Sequence, residues 1–465
     1  MASVALAPTE LGTEKIGKLL KMYAVPGIIA QTAASLYNMV DSIYIGHIPG
    51  VGSAAISGLA VTFPLMNLAT AMGTLVGVGA TTLISVLLGQ KNYDTARRVL
   101  SNVLSLNLII GALFSGVTLA FLDPILCFFG ASDVTLPFAR DYMLIILIGN
   151  VFTHLYFGFN GLIRASGHPK TAMGLTLFTV ISNAVLDPVF IFVFEMGIRG
   201  AALATVICQM AALVYTMKFF LDKKNLLHFP KPMFQIDWRI AGQSLAIGLG
   251  PFLMNSAACL VALFINQQLG KYGGDLAIGA YGIVNRLTML FIMICMGFNQ
   301  GLQPIAGYNY GARQYHRVKE VFVLTAKWEI LVTSLCFLMA ELIPGLAVSL
   351  FTNDPEMIRM ASRALRIMCA GTALVGFGIT TSTFFQCLGM VKKSIFLSLS
   401  RQLIFLLPLI YSLPMWFQEK GVWMSFPIAD MLSVAVAFVF VQRLFKKFDK
   451  LKDGQDAGAL GSAIK

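Results

Sequence analysis

One carboxylate, Asp41, stands alone in an otherwise apolar run from Tyr23 to His47. The run is long enough to span a bilayer, which takes about 20 apolar residues. An ionisable side chain at that depth costs at least about 2.5 kcal/mol, so we expect a role in ion binding or in a buried hydrogen-bond network. Tyr37 and Asn38 precede Asp41 by one helical turn on the same face. Pro26 removes a backbone donor earlier in the run, which predicts a bend in this helix.

Two later segments supply further oxygen ligands. VISNAVLDPVFIF places Asn183 and Asp187 four residues apart on one helix face, directly before Pro188. The next apolar segment adds three positions at helical spacing, Ala201, Thr205 and Gln209. Two carboxylates, an amide and a hydroxyl form a hard oxygen set that suits a proton or a sodium ion. The alternative is that Asn183 and Asp187 only cap or kink their helix around Pro188.

The composition is that of a polytopic membrane protein. Hydrophobic residues make up 57% of the chain and charged residues 12%, whereas soluble domains carry about 25% charged residues. The N-terminal residues are polar and show no apolar core before a cleavage site, so the first span is expected to be the targeting signal as well. The seven cysteines and five histidines do not cluster. Neither a disulfide framework, a zinc-type centre nor a bound cofactor is therefore expected.

Apolar windows of spanning length predict an all-α membrane protein with about twelve transmembrane helices. They fall at roughly 17–45, 54–88, 98–122, 136–163, 171–195, 199–221, 243–268, 276–309, 320–345, 364–388, 394–415 and 422–444. A long polar connection from Lys218 to Arg239 divides the chain. We predict an N-terminal segment 1–16, an N-lobe 17–221 with helices 1–6, a cytoplasmic linker 222–242, a C-lobe 243–444 with helices 7–12 and a basic, disordered tail 445–465. The two six-helix bundles would surround a central cavity.

Basic residues are shared unequally between alternate connections. With both termini inside, the inner connections carry the basic clusters at 15–21, 91–98, 164–170, 223–231, 313–319, 392–393 and after Gln442. The outer connections carry roughly threefold fewer Lys and Arg, which predicts cytoplasmic termini in the inner or plasma membrane. Topology and attraction to anionic lipid then explain the net charge of +12, and no nucleic-acid partner is needed.

An internal repeat relates the two halves of the chain. Gly89–Val99 reads GQKNYDTARRV and Gly311–Val321 reads GARQYHRVKEV, with Gly, a basic residue and Tyr in register. RASGHPK from Arg164 and QCLGMVK from Gln386 match at the same offset of about 222 residues. Parallel repeats of this kind are typical of secondary transporters, which place the substrate site at the repeat interface. A monomer contains both repeats and suffices for such a site.

Taken together, these features resemble the multidrug and toxic compound extrusion (MATE) transporters, and in particular the DinF-like branch of that family. The resemblance covers nearly the whole chain, and it is most specific at helices one, five and six. It implies a cation site in the N-terminal lobe, formed by Asp41, Asn183, Asp187, Ala201 through its backbone, and Thr205. It also implies aromatic hydroxyls near the site at Tyr37 and Tyr142, and a bend of helix one at Pro26.

The sequence departs from the NorM-like branch, which carries an acid on helix seven. No acid stands between Asp237 and Asp275 here, so coupling is expected in the N-terminal lobe. Three charged residues within the spans of the second half stand out as candidates, Glu329, Arg401 and Asp430. They could belong to a functional site or be satisfied polar residues in a packed bundle, and both readings stay open.

The resemblance implies drug export by antiport with H+ or Na+, where the ion binds at Asp41 and Asp187 and changes the shape of helix one. Expected substrates are amphipathic organic cations, dyes or antibiotics, for which 23 Met and 35 Phe offer adaptable surface. Asn160 on helix four is the predicted polar contact for a substrate. The alternative is a flippase for lipid or lipid-linked oligosaccharide, which would need Arg or Lys in the spans, and the N-terminal half shows almost none. No catalytic motif appears, so an enzyme is not expected.

Overall fold

The computed structural model describes residues 10–451, except the side chains of Asn38, Met39, Ser53, Ile56 and Asp275. We number the long helices in chain order. They are α1 (Ile16–Gly46), α2 (Gly52–Gly89), α3 (Tyr93–Ala120), α4 (Leu136–Ala165), α5 (Pro169–Pro188, continued by the π-helix Val189–Val193), α6 (Ile198–Leu221), α7 (Trp238–Gly274), α8 (Leu276–Gly311), α9 (Tyr315–Leu342), α10 (Pro355–Cys369 and Thr372–Cys387), α11 (Val391–Phe417) and α12 (Glu419–Lys450). Short helices Leu122–Phe128 and Pro344–Ser349 precede α4 and α10.

Within the described residues, ten helices are each long and apolar enough to cross a membrane. They are all the numbered helices except α1 and α10, and the two parts of α10, bent by 48°, pass the same criterion only together. The predicted all-α, multi-span class is therefore confirmed. The last predicted span ends at 444, whereas α12 continues to Lys450 because Leu444 and Phe448 are buried, and Phe448 stacks on Tyr315 at 4.9 Å between ring centroids.

The backbone confirms the repeat that the sequence predicts. Lys91 and Arg313, which follow α2 and α8, share a left-handed φ of 59°. Gly167 and Gly389 both have positive φ in the connections that follow α4 and α10. The π-helices Val189–Val193 and Ser400–Leu406 lie beside Pro188 and Pro408. The first two correspondences fall at the offset of about 222 residues read from the sequence motifs, whereas the second π-helix begins about ten residues earlier than that offset predicts.

The left-handed residue Lys91 is exposed and carries a conformational penalty. A non-glycine residue in this region is disfavoured by about 1 kcal/mol, because its Cβ approaches the following carbonyl oxygen. We expect Lys91→Gly to raise the free energy of unfolding by about 0.5–1 kcal/mol. Thermal unfolding in detergent measures the change, and Lys91→Ala, which removes the same charge and keeps the Cβ, is the control. Equal stability of the two variants would contradict this assignment.

The described chain forms two compact units. Of the described residues, 10–13 and Ile29–Phe252 belong to unit 1, and Glu14–Ile28 and 253–451 belong to unit 2. The boundaries cut α1 two residues after Pro26 and α7 one residue after Pro251. The lobes predicted at 17–221 and 243–444 follow chain order and stay a prediction. The compact units differ from them in the first parts of α1 and α7.

The first part of α1 belongs to unit 2 and the first part of α7 belongs to unit 1. Each of these two segments packs closely against a long helix of its unit. In unit 1 a Cβ added to Gly248 of α7 would lie 1.7 Å from the Leu75 carbonyl oxygen of α2. In unit 2 a Cβ added to Gly297 of α8 would lie 2.5 Å from the Cα of Ile28 in α1. Glycine is needed at these crossings because the two backbones leave no room for a side chain.

Candidate functional site

Two buried carboxyl groups lie together in unit 1. Asp41 on α1 is 7% exposed and Asp187 at the end of α5 is 0% exposed. Their side chains are within hydrogen-bonding reach of each other. Among the described residues, Asp41 Oδ1 and Asp187 Oδ2 receive no hydrogen bond. Two deprotonated carboxylates have no donor to share, so a proton or a cation is required to satisfy these buried oxygens.

The end of α5 positions Asp187. Asn183 lies one turn earlier and its Nδ2 donates to Asp187 Oδ1. Pro188 contributes no backbone N–H, and the chain continues as the π-helix Val189–Val193. Such wider turns recur at functional sites because they change the direction of neighbouring side chains. The sequence pattern Asn–x–x–x–Asp–Pro thus folds as predicted, with the amide holding one oxygen of the acid.

Two tyrosine hydroxyl groups lie near the acid pair, and a threonine hydroxyl is linked to it through one of them. Tyr37 on α1 and Thr205 on α6 are hydrogen-bonded at 3.2 Å between Tyr37 Oη and Thr205 Oγ1. Tyr142 on α4 is 2% exposed, and both tyrosines interact electrostatically with Asp41 and Asp187. Helices α1, α4, α5 and α6 therefore all contribute to one site, and the hydroxyls can donate to the carboxylates or turn an oxygen toward a bound cation.

The remaining predicted residues differ in their burial and in their hydrogen-bond partners. Ala201 is fully buried one turn before Thr205. Gln209 accepts a hydrogen bond from Thr153 of α4. Asn160 donates from Nδ2 to the Ala172 carbonyl oxygen at 3.1 Å, so its amide joins α4 to α5. The side chain of Asn38 lies outside the described part of the chain. The substrate role of Asn160 stays a prediction.

Sequence reasoning missed two neighbours of the site. Thr153 is the partner of Gln209, and Cys208 is 2% exposed and interacts electrostatically with Asp187. The signal for Cys208 is its position three residues after Thr205 on the same helix face. Thr153 had no local signal, because its contact joins residues 56 positions apart.

The acids of unit 2 have two different environments. Asp430 of α12 accepts a hydrogen bond from Arg401 Nε at 2.6 Å, so this pair is satisfied. Glu329 of α9 is 0% exposed, and neither of its carboxyl oxygens has a hydrogen-bond partner among the described residues. Among the described residues, Glu329 and Asp430 thus do not pair with each other as Asp41 and Asp187 do in unit 1.

The oxygens of unit 1 fit a hard cation or a proton. The available ligands are the unsatisfied oxygens of Asp41 and Asp187, the Asn183 amide oxygen and the Thr205 hydroxyl. Carboxylate, amide and hydroxyl oxygens are the ligands that hard cations such as Na+ prefer, and a shared proton would serve the two carboxylates alone. Because the site is buried, loss of the ion leaves unpaired negative charge on the two carboxylates, and unpaired buried charge is costly. The stability of this arrangement therefore depends on whether the ion is bound.

A repeated helical membrane protein with a buried acid pair in one repeat belongs to a class with many secondary transporters. Comparison with known proteins identifies the family: the chain belongs to the MatE family, whose model matches residues 26–189 and again 251–412. The two matches begin at Pro26 and Pro251, the prolines beside the unit boundaries. The predicted resemblance is confirmed.

Two relatives of this chain are multidrug export proteins by name. Multidrug export protein MepA of Staphylococcus aureus (strain MSSA476) is 28% identical over 427 residues, which cover 92% of this chain and 94% of the relative. MepA of Staphylococcus haemolyticus (strain JCSC1435) is 28% identical over 429 residues, with the same coverage. A solved structure of the MATE multidrug transporter DinF-BH in complex with a dye is 35% identical, has a TM-score of 0.86 and covers 95% of this chain and 98% of its own. A MATE structure in the bent conformation has a TM-score of 0.90 at 23% identity, covers 96% of this chain and 99% of its own, and shows the fold.

Proposed function

We propose that the protein is a secondary active multidrug efflux transporter that exports amphipathic, mostly cationic organic compounds in exchange for H+ or Na+. The buried pair of Asp41 and Asp187 carries the proposal, because it supplies an ion site inside a membrane-spanning bundle. MepA is named a multidrug export protein, and the DinF-BH structure contains a bound dye. Both support the proposed substrate class. Membership of the MatE family supports transport by alternating access.

The proposed mechanism couples ion binding to the shape of α1. A proton or Na+ enters from outside and binds between Asp41 and Asp187, with Asn183 and Thr205 as further ligands. An ion can shift a conformational equilibrium only through different affinities for the two states. Tyr37 and Asp41 lie on α1, so binding favours one arrangement of that helix, and Pro26 is the position at which the helix can bend. The bend then changes the substrate cavity.

The orientation and the assembly state are part of the proposal. Both termini are cytoplasmic, because the basic connections lie on their side of the membrane. One copy of the chain carries both repeats, so the proposed transporter works as a monomer surrounded by lipid. The alternative function, a flippase for lipid or lipid-linked oligosaccharide, uses the same repeats and requires an anion site in the spans.

Ethidium efflux from reconstituted vesicles tests the proposal. A pH gradient and a sodium gradient are imposed separately on the wild-type protein. Efflux driven by either gradient, and faster by about tenfold or more than in protein-free vesicles, is the expected result and names the ion. The absence of efflux under both gradients, together with scrambling of a fluorescent lipid, would favour the flippase.

A further inference from the structure

Glu329 is a buried acid of unit 2 for which the proposed mechanism has no role. It lies near the middle of α9, which at 1.5 Å per residue is about 20 Å from either end of that helix. Its side chain is 0% exposed, it forms no ion pair within the described part of the chain, and neither carboxyl oxygen receives a hydrogen bond. A buried carboxylate without a partner is so costly that the group takes up a proton instead.

The hydrogen bonds of Thr380 on α10 place that proton on Glu329. The two side chains are close enough to hydrogen-bond. Thr380 has one hydroxyl hydrogen, and it is donated to the Gly376 carbonyl oxygen at 2.9 Å. Toward Glu329 the Thr380 oxygen can therefore only accept, so a bond between them forms only when the carboxyl group carries the hydrogen. The helices approach closely here because Gly376 has no side chain: a Cβ there would lie 2.6 Å from the Glu329 carbonyl oxygen.

The internal repeat shows that packing at this position does not require an acid. At the offset of about 222 residues, Glu329 corresponds to Asn107 of α3 and Thr380 corresponds to Gly158 of α4. These two residues are also neighbours, since a Cβ added to Gly158 would lie 2.7 Å from Asn107 Nδ2. Asn107 is 0% exposed, as Glu329 is. Unit 1 thus fills the equivalent place with a neutral amide, which leaves proton binding as the property that distinguishes Glu329.

The surroundings of Glu329 suit a proton better than a metal ion. Hard cations are held by several oxygen ligands. Besides Thr380, the side chain that interacts with Glu329 is the thiol of Cys295 on α8, and thiols are soft ligands. No group of three or more His, Cys, Asp or Glu side chains that could hold a metal ion occurs among the described residues.

Three buried thiols connect Glu329 with Asp430 by successive interactions. Cys295 interacts electrostatically with Glu329 and with Cys336 of α9. The thiols of Cys336 and Cys369 are hydrogen-bonded, and Cys369 of α10 interacts electrostatically with Asp430 of α12. All three cysteines are 1% exposed or less. We call them the thiol row. A thiol is both a weak donor and a weak acceptor, so the thiol row can pass a proton from one group to the next.

The far end of the thiol row is more accessible than Glu329. Asp430 accepts a hydrogen bond from Arg401 Nε at 2.6 Å, and the Arg401 side chain is 35% exposed. Ion pairs within membrane spans are stable where they face the bundle interior or a water-filled cavity, and they recur on proton pathways. The pair of Asp430 and Arg401 is therefore the point at which the thiol row can exchange a proton with water.

We propose that Glu329 is a second proton-binding site of this protein and that the thiol row carries its proton to and from the pair of Asp430 and Arg401. The inference rests on the proposed antiport function and adds to it: the acid pair binds one ion in unit 1, and Glu329 binds a proton in unit 2. The proton passes from the Glu329 carboxyl oxygen to a sulfur as that thiol gives up its own hydrogen. The thiols stay reduced, and no bond between heavy atoms changes.

Infrared spectroscopy of the purified protein in lipid tests the site directly. A protonated carboxyl group has a C=O stretching band that a carboxylate lacks. We expect the wild type to show a band at neutral pH that is absent from Glu329→Gln, which has the shape of the protonated acid and can donate to Thr380. Glu320→Gln, an exposed position of the same helix, should keep the band. A second variant, Glu329→Asp, keeps a carboxyl group and should displace the band without abolishing it.

Transfer into D2O tests whether the proton exchanges through the thiol row. Deuteration shifts the band of an exchangeable carboxyl group. We expect Cys336→Val to slow the shift by about tenfold or more, whereas Cys336→Ser, which keeps an O–H group at that place, should retain the wild-type rate. Absence of a band that depends on Glu329, or a band that never shifts in the wild type, would overturn the proton site. Equal rates in Cys336→Val and the wild type would overturn the route.

The limiting dye gradient tests whether the proton takes part in transport. With the membrane potential clamped by K+ and valinomycin, an approximately tenfold proton gradient sustains at most about a hundredfold dye gradient with two protons per dye and about tenfold with one. We expect Glu329→Gln to lower the limiting ethidium gradient by about tenfold and Glu320→Gln to leave it unchanged. An unchanged gradient in Glu329→Gln would contradict a role in exchange. Failure of the export proposal is a separate observation, since it appears as absent ion-driven efflux in a wild type whose Glu329 band is present and exchanges.

Discussion

We expect Asp41→Asn to abolish ion-driven efflux in a protein that still folds and still binds dye. The expected loss of ethidium efflux under a pH or sodium gradient is about tenfold or more, because the amide can neither release a proton nor neutralise a cation. Folding is retained because Asn replaces the acid with nearly the same shape and its NH2 group can donate to Asp187, which lies within hydrogen-bonding reach. Asp187→Asn should have the same effect.

The control for this substitution is another acid in unit 1. Asp94 on α3 is 87% exposed, and among the described residues it pairs with Arg97 at 3.5 Å. Exposed pairs contribute about 0–1 kcal/mol, so Asp94→Asn should leave both folding and efflux unchanged. Full coupling in Asp41→Asn, with the rate of the wild type under both gradients, would exclude the acid pair as the ion site.

We expect Gly248→Ala to impair the folding of unit 1 severely. A methyl group there would lie 1.7 Å from the carbonyl oxygen of Leu75, and the obstacle is backbone of α2. A clash with backbone cannot be relieved by a side-chain rotation, so the helices must separate at a cost of about 3 kcal/mol or more. We expect a much smaller yield of monodisperse protein in size-exclusion chromatography and a lower unfolding temperature in the fraction that remains.

A second glycine of the same helix distinguishes steric effects from helix propensity. Nothing lies within 4 Å of a Cβ added to Gly242 of α7. Alanine is favoured over glycine in a helix by about 1 kcal/mol, so Gly242→Ala should be neutral or stabilising. Similar behaviour of Gly242→Ala and Gly248→Ala would show that α7 does not approach α2 as the structure has it.

Much of the fold follows from local sequence signals. Apolar windows locate the spans because each must be long enough to cross the bilayer, and the repeat motifs after α2 and α8 mark left-handed turns at Lys91 and Arg313. The spacing of Asn183 and Asp187 predicts their hydrogen bond, because residues four apart share a helix face. Asp41 could be identified because an acid in an apolar membrane span carries a large free-energy cost.

Other features depend on contacts that no local pattern encodes. The bond of Thr153 with Gln209 and the pair of Arg401 with Asp430 join different helices, so they depend on the rotation of each helix in its bundle. The division of α1 and α7 between the units likewise depends on close packing at Gly248 of α7 and Gly297 of α8. Hydropathy places a helix in the membrane but does not say which bundle it joins.

Helices α1 and α7 each contribute one part to unit 1 and another part to unit 2. This division constrains the order in which the two bundles can be assembled. A ribosome that has made residues up to the connection after α6 has not yet supplied the α7 segment that unit 1 contains. Unit 2 likewise requires Glu14–Ile28, a segment that is synthesised before the long helices of unit 1. Neither half of the gene therefore encodes a complete bundle, and biogenesis must hold the early helices in the membrane until the second half arrives.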